Sequence, residues 1–225
     1  MRVLLVVNPR SRRGDELGDR VRAELRRRGV EIVEHVPPAV PVDAIVVAGG
    51  DGTLARQIPR ALALDVPIGI VPLGTFNDLS RSLAIPFDVE GACDVIASGR
   101  TRRIDAARVN GAYYVTEASI GISSRLARLQ RSQGKHRFEL RVVLASLVQA
   151  VRYARPFHAE IGYDGKRERF KVMQLTVANS QRFGGFIAVD DAAIDDGWLD
   201  CYSVEIDNVL QFFSVAGAIV AGWET

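Results

Sequence analysis

The sequence predicts an α/β chain in two parts: a parallel sheet with helices over residues 1–100, then a mainly antiparallel β part over 101–225. Three observations predict it. Residues 43–48 and 66–72 are short apolar runs rich in β-branched side chains, the composition of strands buried on both faces of a parallel sheet. Each runs into a turn of glycine and polar residues from which a helix can start. Beyond Arg102 the pattern changes to strand-like segments, and Asp164-Gly165 between two of them is a hairpin turn.

Composition bounds the class. A chain of 225 residues can bury a real core and fits one large or two small domains. Its 48% hydrophobic and 25% charged residues are ordinary for a soluble globular protein, and a net charge of +2 decides little. Two arginine clusters, Arg26-Arg27-Arg28 and Arg100-Thr101-Arg102-Arg103, can meet phosphates or an anionic membrane surface, or be solvated helix ends. Cys93 and Cys201 make no metal or redox spacing, which favours a reducing cytoplasm, and the three histidines form no ligand cluster. Residues 1–7 are too short for a signal segment or a membrane span and read as a first strand. Residues 212–223 also fall short of the ~20 that a spanning helix needs. They read as a core helix, with membrane contact as the alternative.

In chain order, residues 3–7 are a buried strand ending in the polar turn Asn8-Pro9-Arg10-Ser11-Arg12-Arg13-Gly14. A helix from about Asp15 follows, with Leu17, Val21 and Leu25 on one face and Gly29 as its stop. Residues 30–36 make a second strand. Only Pro37-Pro38-Ala39-Val40-Pro41 separates it from the next, too little for the crossover helix of a parallel connection, so it is an edge strand or a helix has been lost. After the strand at 43–48, a helix over 54–64 is expected, which Pro59 kinks or shortens unless it sits in a first turn. The strand at 66–72 delivers a helix running through Leu79, Leu83 and Ile85, and residues 88–98 form a short amphipathic helix ended by Gly99. In the second part, residues 113–116, 157–163, 169–177 and 199–204 read as strands. A long helix over about 138–153 carries Leu140, Val143, Leu144, Leu147, Val148 and Val151 on a core-facing side.

The polar turns carry the chemistry. Gly49-Gly50-Asp51-Gly52-Thr53 and Leu73-Gly74-Thr75-Phe76-Asn77-Asp78 follow successive parallel strands and so lie side by side at the carboxyl edge of the sheet, where open α/β sheets bind ligands. Glycines let a backbone approach a ligand and present its N–H groups, which suits phosphate. The first part is thus a Rossmann-like, nucleotide-binding arrangement. Thr75 and Asn77 can hydrogen-bond phosphate or ribose. Asp51 can act on a metal ion or a hydroxyl, or cap a tight turn; Asp78 can cap a helix or hold a metal through water. The expected site is a cleft between the two parts.

Four segments, in order and over almost the whole chain, resemble the diacylglycerol kinase catalytic-domain family, which includes bacterial lipid kinases and sphingosine kinases. They are Asn8-Pro9-Arg10-Ser11 with Gly14, Gly49-Gly50-Asp51-Gly52-Thr53-Leu54, Pro72-Leu73-Gly74-Thr75-Phe76-Asn77-Asp78-Leu79-Ser80-Arg81, and the acidic turn from Ala192 to Asp200. The second is shared with NAD kinases and phosphofructokinases, so the combination carries the resemblance. It implies an ATP site lined by Asn8, Pro9, Ser11, Gly49, Gly50, Asp51, Gly52, Thr53, Gly74, Thr75 and Asn77, with Asp51 catalytic beside the reacting hydroxyl. It also implies a largely structural Mg²⁺ held by Asp196 with backbone oxygens near Ala193 and Trp198, in an acidic run with Asp190, Asp191, Asp195 and Asp200; hard oxygen ligands suit that ion. The implied reaction is transfer of the ATP γ-phosphoryl group to a lipid hydroxyl, diacylglycerol-like or related, by positioning and charge neutralisation. The implied setting is phospholipid biosynthesis by a cytoplasmic protein peripheral to the inner face of the membrane. ATP and a lipid substrate are the implied partners, without nucleic acid and with a homodimer left open.

The sequence also departs from the family. Members continue some tens of residues to a DGE-like motif whose Glu is assigned as the general base, whereas this sequence stops at Thr225 without one, so its second part is expected to be incomplete at the C-terminus. Arg12-Arg13 replaces small residues of the first motif, and the region near Pro37 lacks a helix that supplies a further nucleotide contact. Two other classes therefore stand beside the lipid kinase: a nucleotide- or lipid-binding protein without the base, and a soluble-substrate kinase of the NAD-kinase type.

Overall fold

The computed structural model describes residues 1–11, 13–34, 41–132, 145–146, 148–150, 152–180, 182–183, 187–188 and 193–204. Its most completely buried strand is β3 (Ala44–Gly49), in which all six residues are buried. β1 (Arg2–Val7) and β4 (Ile68–Pro72) flank it, and β2 (Glu31–Val33) lies beyond β1. The order β2-β1-β3-β4 has every pairing parallel, with Leu5 opposite Val46 and Ile70 opposite Val47. β2 is thus the edge strand that its short connection requires; residues 35–40 of that connection lie outside the described residues.

Alternation along the strands sends apolar side chains to both faces. Val3, Leu5, Val46, Ala48 and Val71 meet α1 (Gly14–Arg27) and α5 (Val89–Ala97) through Leu17, Val21, Leu25, Ala92, Cys93 and Ile96. Leu4, Ile45, Val47 and Ile70 meet α2 (Asp51–Ala55), α3 (Ile58–Leu64) and α4 (Asp78–Ser82) through Leu54, Ile58, Ala61 and Leu79. Across α1 and α5, Arg28 binds Glu24 and Asp94 (Nε to Oδ1 2.7 Å), and Arg20 binds Glu90. Arg27 also binds Glu24, so two members of the 26–28 cluster are engaged within the fold rather than left for a ligand.

Two helices differ from expectation. The helix expected over 54–64 is broken at Arg56-Gln57, and Pro59 sits in the first turn of α3, where a missing N–H costs no bond. The helix expected through Leu83 and Ile85 stops at Ser82. Ala84 turns left-handed (φ 52°), and the N–H groups of Ala84 and Ile85 return to the carbonyls of Arg81 (3.2 Å) and Ser80 (2.9 Å), the paired bonds that close a helix C-terminus. Leu83 and Ile85 still pack against the core.

Contacts divide the chain into two units. The first holds Met1–Glu117 with Ala178–Asp200. It includes an antiparallel hairpin of β5 (Ala107–Val109) and β6 (Ala112–Tyr114), turning at Asn110-Gly111, and a later antiparallel pair, β11 (Arg182–Phe183) and β12 (Ile187–Ala188). The second holds Ala118–Val177 and the residues from Cys201. Its elements are a sheet in the order β13-β10-β7, formed by Asp200–Val204, Gln174–Ala178 and Glu117–Gly121 less the end residues Asp200, Ala178 and Glu117 that fall to the first unit, with α6 (Ile122–Ser132) and the antiparallel hairpin β8 (Phe157–Tyr163) and β9 (Lys166–Val172).

The strand expected over 169–177 is therefore two strands. They part at Met173, whose N–H donates to the Val204 carbonyl (3.0 Å) and whose own carbonyl accepts from the Ile122 N–H (3.3 Å). Much of the helix expected over 138–153 lies outside the described residues. Its described part is helical but buries Ser146 and Ala150 and leaves Val148 46% exposed, because the small Ala150 is what fits against Ile122, Leu126 and Met173. Residues 212–223 also lie outside. Among the described residues no helix is long and apolar enough to cross a membrane, and both cysteines are free thiols.

Candidate active site

Three turns leave the carboxyl edge of the parallel sheet side by side, after β1, β3 and β4, and all belong to the first unit. Backbone bonds set their spacing: Asn8 N–H donates to the Ala48 carbonyl (3.0 Å), Leu73 N–H to Gly49 (2.9 Å) and Arg13 N–H to Leu73 (3.3 Å).

Asn8 organises the first turn. Its carbonyl accepts from the Ser11 hydroxyl (2.7 Å) and N–H (3.0 Å), and its Oδ1 accepts from Arg10 N–H (3.1 Å). Its Nδ2 donates to Thr53 Oγ1 (2.8 Å), tying the first turn to the second. Pro9 is exposed at the tip, and Thr53 is buried beneath.

The second and third turns meet at their glycines. A Cβ on Gly74 would stand 2.5 Å from Gly50 Cα and 2.5 Å from Asn77 Oδ1, so only glycine permits this approach. Asn77 takes a left-handed conformation (φ 51°), which asparagine tolerates better than most residues. Its Oδ1 accepts from Gly74 N–H (2.9 Å) and its Nδ2 donates to the Gly74 carbonyl (3.1 Å). Asn77 is buried, Thr75 is half-buried, and the Phe76 carbonyl accepts from Arg81 Nε (3.1 Å).

Asp51 joins these two turns as well. Its Oδ2 accepts from Asp78 N–H (3.1 Å) and its Oδ1 from Leu79 N–H (3.2 Å), so a carboxylate 27 residues upstream caps the first turn of α4. A carboxylate has about four lone-pair sites, and these amides take two. Gly52 stands apart: it needs no left-handed backbone, it is exposed, and beyond its chain neighbours and the backbone of its own helix no atom lies within 4 Å of where its Cβ would be.

The residues expected for the magnesium ion lie on a turn held by its own contacts. Asp195 pairs with Arg102 (Nη2 to Oδ2 2.7 Å), Gly197 N–H donates to Asp105 Oδ2 (2.7 Å), and Asp105 N–H donates to the Ile194 carbonyl (2.8 Å). Asp196 Oδ1 accepts from Trp198 N–H (2.9 Å), which takes one of the carboxylate's lone pairs, and the groups the sequence named there, this carboxylate and the Ala193 and Trp198 carbonyls, are all hard oxygens. No three His, Cys, Asp or Glu side chains converge for a metal among the described residues. One carboxylate with carbonyls and retained water fits Mg²⁺, which is seldom bound by an all-protein cage. Asp190 and Asp191 lie outside the described residues.

Sequence reasoning missed three residues here. Asp105 clamps the 194–197 turn. Asn179 is buried, with its Nδ2 on the carbonyls of Asp105 (3.0 Å) and Val115 (3.3 Å). Glu117, the last residue of the first segment, has its carboxyl pushed up to about 7, first by burial and then by the neighbouring Asp78 carboxylate.

A raised acid stabilises the fold fully below its unfolded pKa and loses that contribution as pH rises through the folded value. Wild-type stability should therefore fall from about pH 4.5 to above 7 relative to Glu117→Gln. With a discount for partial water access, the difference should reach roughly 1–3 kcal/mol by pH 8. Urea denaturation of both chains across that range checks it; parallel pH profiles would show that Glu117 is not held in this way.

With this geometry in hand, comparisons place the chain among known proteins. The diacylglycerol kinase catalytic domain matches residues 2–109, and the YegS C-terminal NAD kinase beta sandwich-like domain matches 116–223. A diacylglycerol kinase of Bacillus subtilis is 32% identical over 191 residues, covering 80% of this chain and 61% of that protein. One of Mycobacterium tuberculosis is 30% identical over 227 residues, covering 89% and 71%. This chain thus spans about two thirds of the length of these relatives. A crystal structure of a diacylglycerol kinase from Bacillus anthracis superposes with a TM-score of 0.70 at 27% identity, covering 96% of this chain and 77% of that one. Agreement of both domains in order, of sequence and of fold shows that the chain belongs to the diacylglycerol kinase family.

Proposed function

We propose that this chain is a lipid kinase that transfers the γ-phosphoryl group of ATP to the hydroxyl of diacylglycerol or a related lipid, with the nucleotide lying over the three turns at the sheet edge. The observation that carries this reading is Gly52. Glycine inside a helix costs up to about 1 kcal/mol relative to alanine. Neither backbone conformation nor packing requires it at this position. What it provides is open space on the exposed side of the central turn, which a phosphate chain can fill.

The other residues then divide by role. Gly50, Gly52 and Thr75 lie against the nucleotide phosphates. Asn8 and Asn77, whose side chains are spent on Thr53 and Gly74, are positioning residues that hold the turns at their spacing. Asp51 is held by two amides and turns its remaining lone pairs to the lipid hydroxyl, orienting it and accepting its proton during transfer. Asp196, with the carbonyls of Ala193 and Trp198, would hold a structural Mg²⁺, and Mg²⁺ brought in with ATP would supply charge neutralisation on the phosphates.

The test is transfer of labelled γ-phosphate from Mg-ATP to a lipid panel in uncharged mixed micelles, beside Gly52→Ala. Wild type should label the organic extract. Gly52→Ala should be as stable as wild type or up to about 1 kcal/mol more stable, yet bind ATP at least ~10-fold more weakly. Label on NAD and none in lipid would replace this reading by a soluble-substrate kinase. Saturable Mg-ATP binding with no product would replace it by a binding protein.

A further inference from the structure

Arg56 brings to the candidate site a guanidinium that the fold scarcely uses. It is the residue after α2, still helical in its backbone, and it stands four positions beyond Gly52. Side chains of a helix lean toward its N-terminus, so residues i and i+4 lie one above the other on the same face. Arg56 leans this way. Its Nη2 lies 3.4 Å from Thr53 Oγ1, the oxygen that also accepts from Asn8 Nδ2 (2.8 Å). The guanidinium thus stands where the first and second turns are tied together, beside the space that Gly52 leaves open.

The fold holds it there only weakly. A separation of 3.4 Å is longer than an ordinary hydrogen bond, and a guanidinium has five N–H donors to place. Arg20, Arg22, Arg27, Arg28 and Arg102 each pair with a carboxylate, whereas among the described residues no carboxylate pairs with Arg56. Arg56 is exposed, and none of its side-chain atoms comes within 4 Å of where a Cβ on Gly52 would be. It borders the open space without filling it.

We infer that Arg56 is a binding residue for the nucleotide, its guanidinium taking oxygens of the ATP phosphate chain where that chain passes over Gly52. The identity of the ligand rests on the lipid-kinase reading above; the need for an anion rests on the guanidinium, its missing acid and the open space beside it. A planar fork of N–H donors matches phosphate oxygens, and an unpaired cation at this place offsets their charge. A solvated arginine at a helix end is the plainer reading, and it predicts that no ligand senses its replacement. The phosphate of a phosphorylated lipid has the same chemistry, so the test separates the two sources.

The test is calorimetric titration of Mg-ATP into wild type, Arg56→Gln, Arg56→Lys and Arg60→Gln, with urea denaturation of each. Arg60, exposed on α3, removes the same charge four residues further on. Arg56→Gln should bind Mg-ATP about 10-fold more weakly, and Arg56→Lys, a charge without the fork, should fall between the two. Arg60→Gln should bind as wild type does, and all four chains should be equally stable. Unchanged affinity in Arg56→Gln, an equal loss in Arg60→Gln, or Arg56→Lys no better than Arg56→Gln would overturn the assignment. In labelled transfer, Arg56→Gln should raise the KM for ATP and not that for lipid; the reverse would put the guanidinium on the lipid side and overturn it as well. If wild type and variants bind Mg-ATP in this pattern but transfer no phosphate, the kinase reading fails and the nucleotide contact stands. A wild type that binds no Mg-ATP would overturn both.

Discussion

Asp51→Asn is expected to lower phosphoryl transfer by about 10²–10⁴-fold, the usual contribution of a positioned acid–base group, in a chain that still folds. Both oxygens of Asp51 accept backbone N–H groups of α4. Asparagine keeps one acceptor and turns an NH₂ group toward the other amide, so it should cost about 1–3 kcal/mol of stability. Asp51→Ala removes both bonds and should be less stable than the Asn variant. Two roles are thus separated by one pair of measurements, labelled transfer to lipid and urea denaturation. If Asp51 only caps α4, transfer well below the melting range stays near wild type in the Asn variant. If it also acts on the substrate hydroxyl, turnover collapses while ATP affinity changes little.

What was legible in the sequence is what local pattern encodes. β3 and β4 announced themselves through β-branched runs ending in glycine turns, and Pro59 could be placed at a first turn or a break. Asp164-Gly165 gave the β8–β9 hairpin directly. The end of α4 was hidden because its left-handed stop is Ala84, a residue that rarely takes that conformation. The break at Met173 was hidden because it comes from partners in β13 and α6 rather than from any turn residue. α6 carries Ile122, Leu126 and Leu129 at helical spacing with Arg125 and Arg128 between them, a signal diluted by the charged and serine residues that make up most of the segment.

The candidate site divides in the same way. Its glycines and polar residues cluster in sequence and could be named, but their connections could not. The Asp51 cap spans 27 residues, Asn179 to Asp105 spans 74, and Gly197 to Asp105 spans 92. No local period carries such pairs; they follow from the sheet order and from which turns it makes neighbours. Glu117 is the same kind of case, an ordinary strand residue whose behaviour is set by burial and by Asp78.

Gly74→Ala should be among the most damaging single substitutions in the first unit, with a loss of about 3 kcal/mol or more. The new Cβ would lie 2.5 Å from Gly50 Cα, 2.5 Å from Asn77 Oδ1 and 3.2 Å from Gly50 N, and two of these three atoms are backbone that no side-chain rotation can move. Either the second and third turns separate, stretching the Leu73–Gly49 bond and the two bonds from α4 to Asp51, or Asn77 leaves the Gly74 amide and loses what offsets its left-handed backbone. Gly50→Ala is milder, because its Cβ would meet Gly74 Cα at 3.0 Å and Asn77 Oδ1 at 3.6 Å. Gly52→Ala meets nothing and should not destabilise at all. Urea denaturation of the three variants should therefore rank them Gly74, Gly50, Gly52 from most to least damaging, while ATP binding should be weakened in all three. That divergence distinguishes a glycine the fold requires from one the ligand requires. Equal stability of Gly74→Ala and Gly52→Ala would show that the turns can part freely, and the close approach of Gly50 and Gly74 would no longer explain how the site is built.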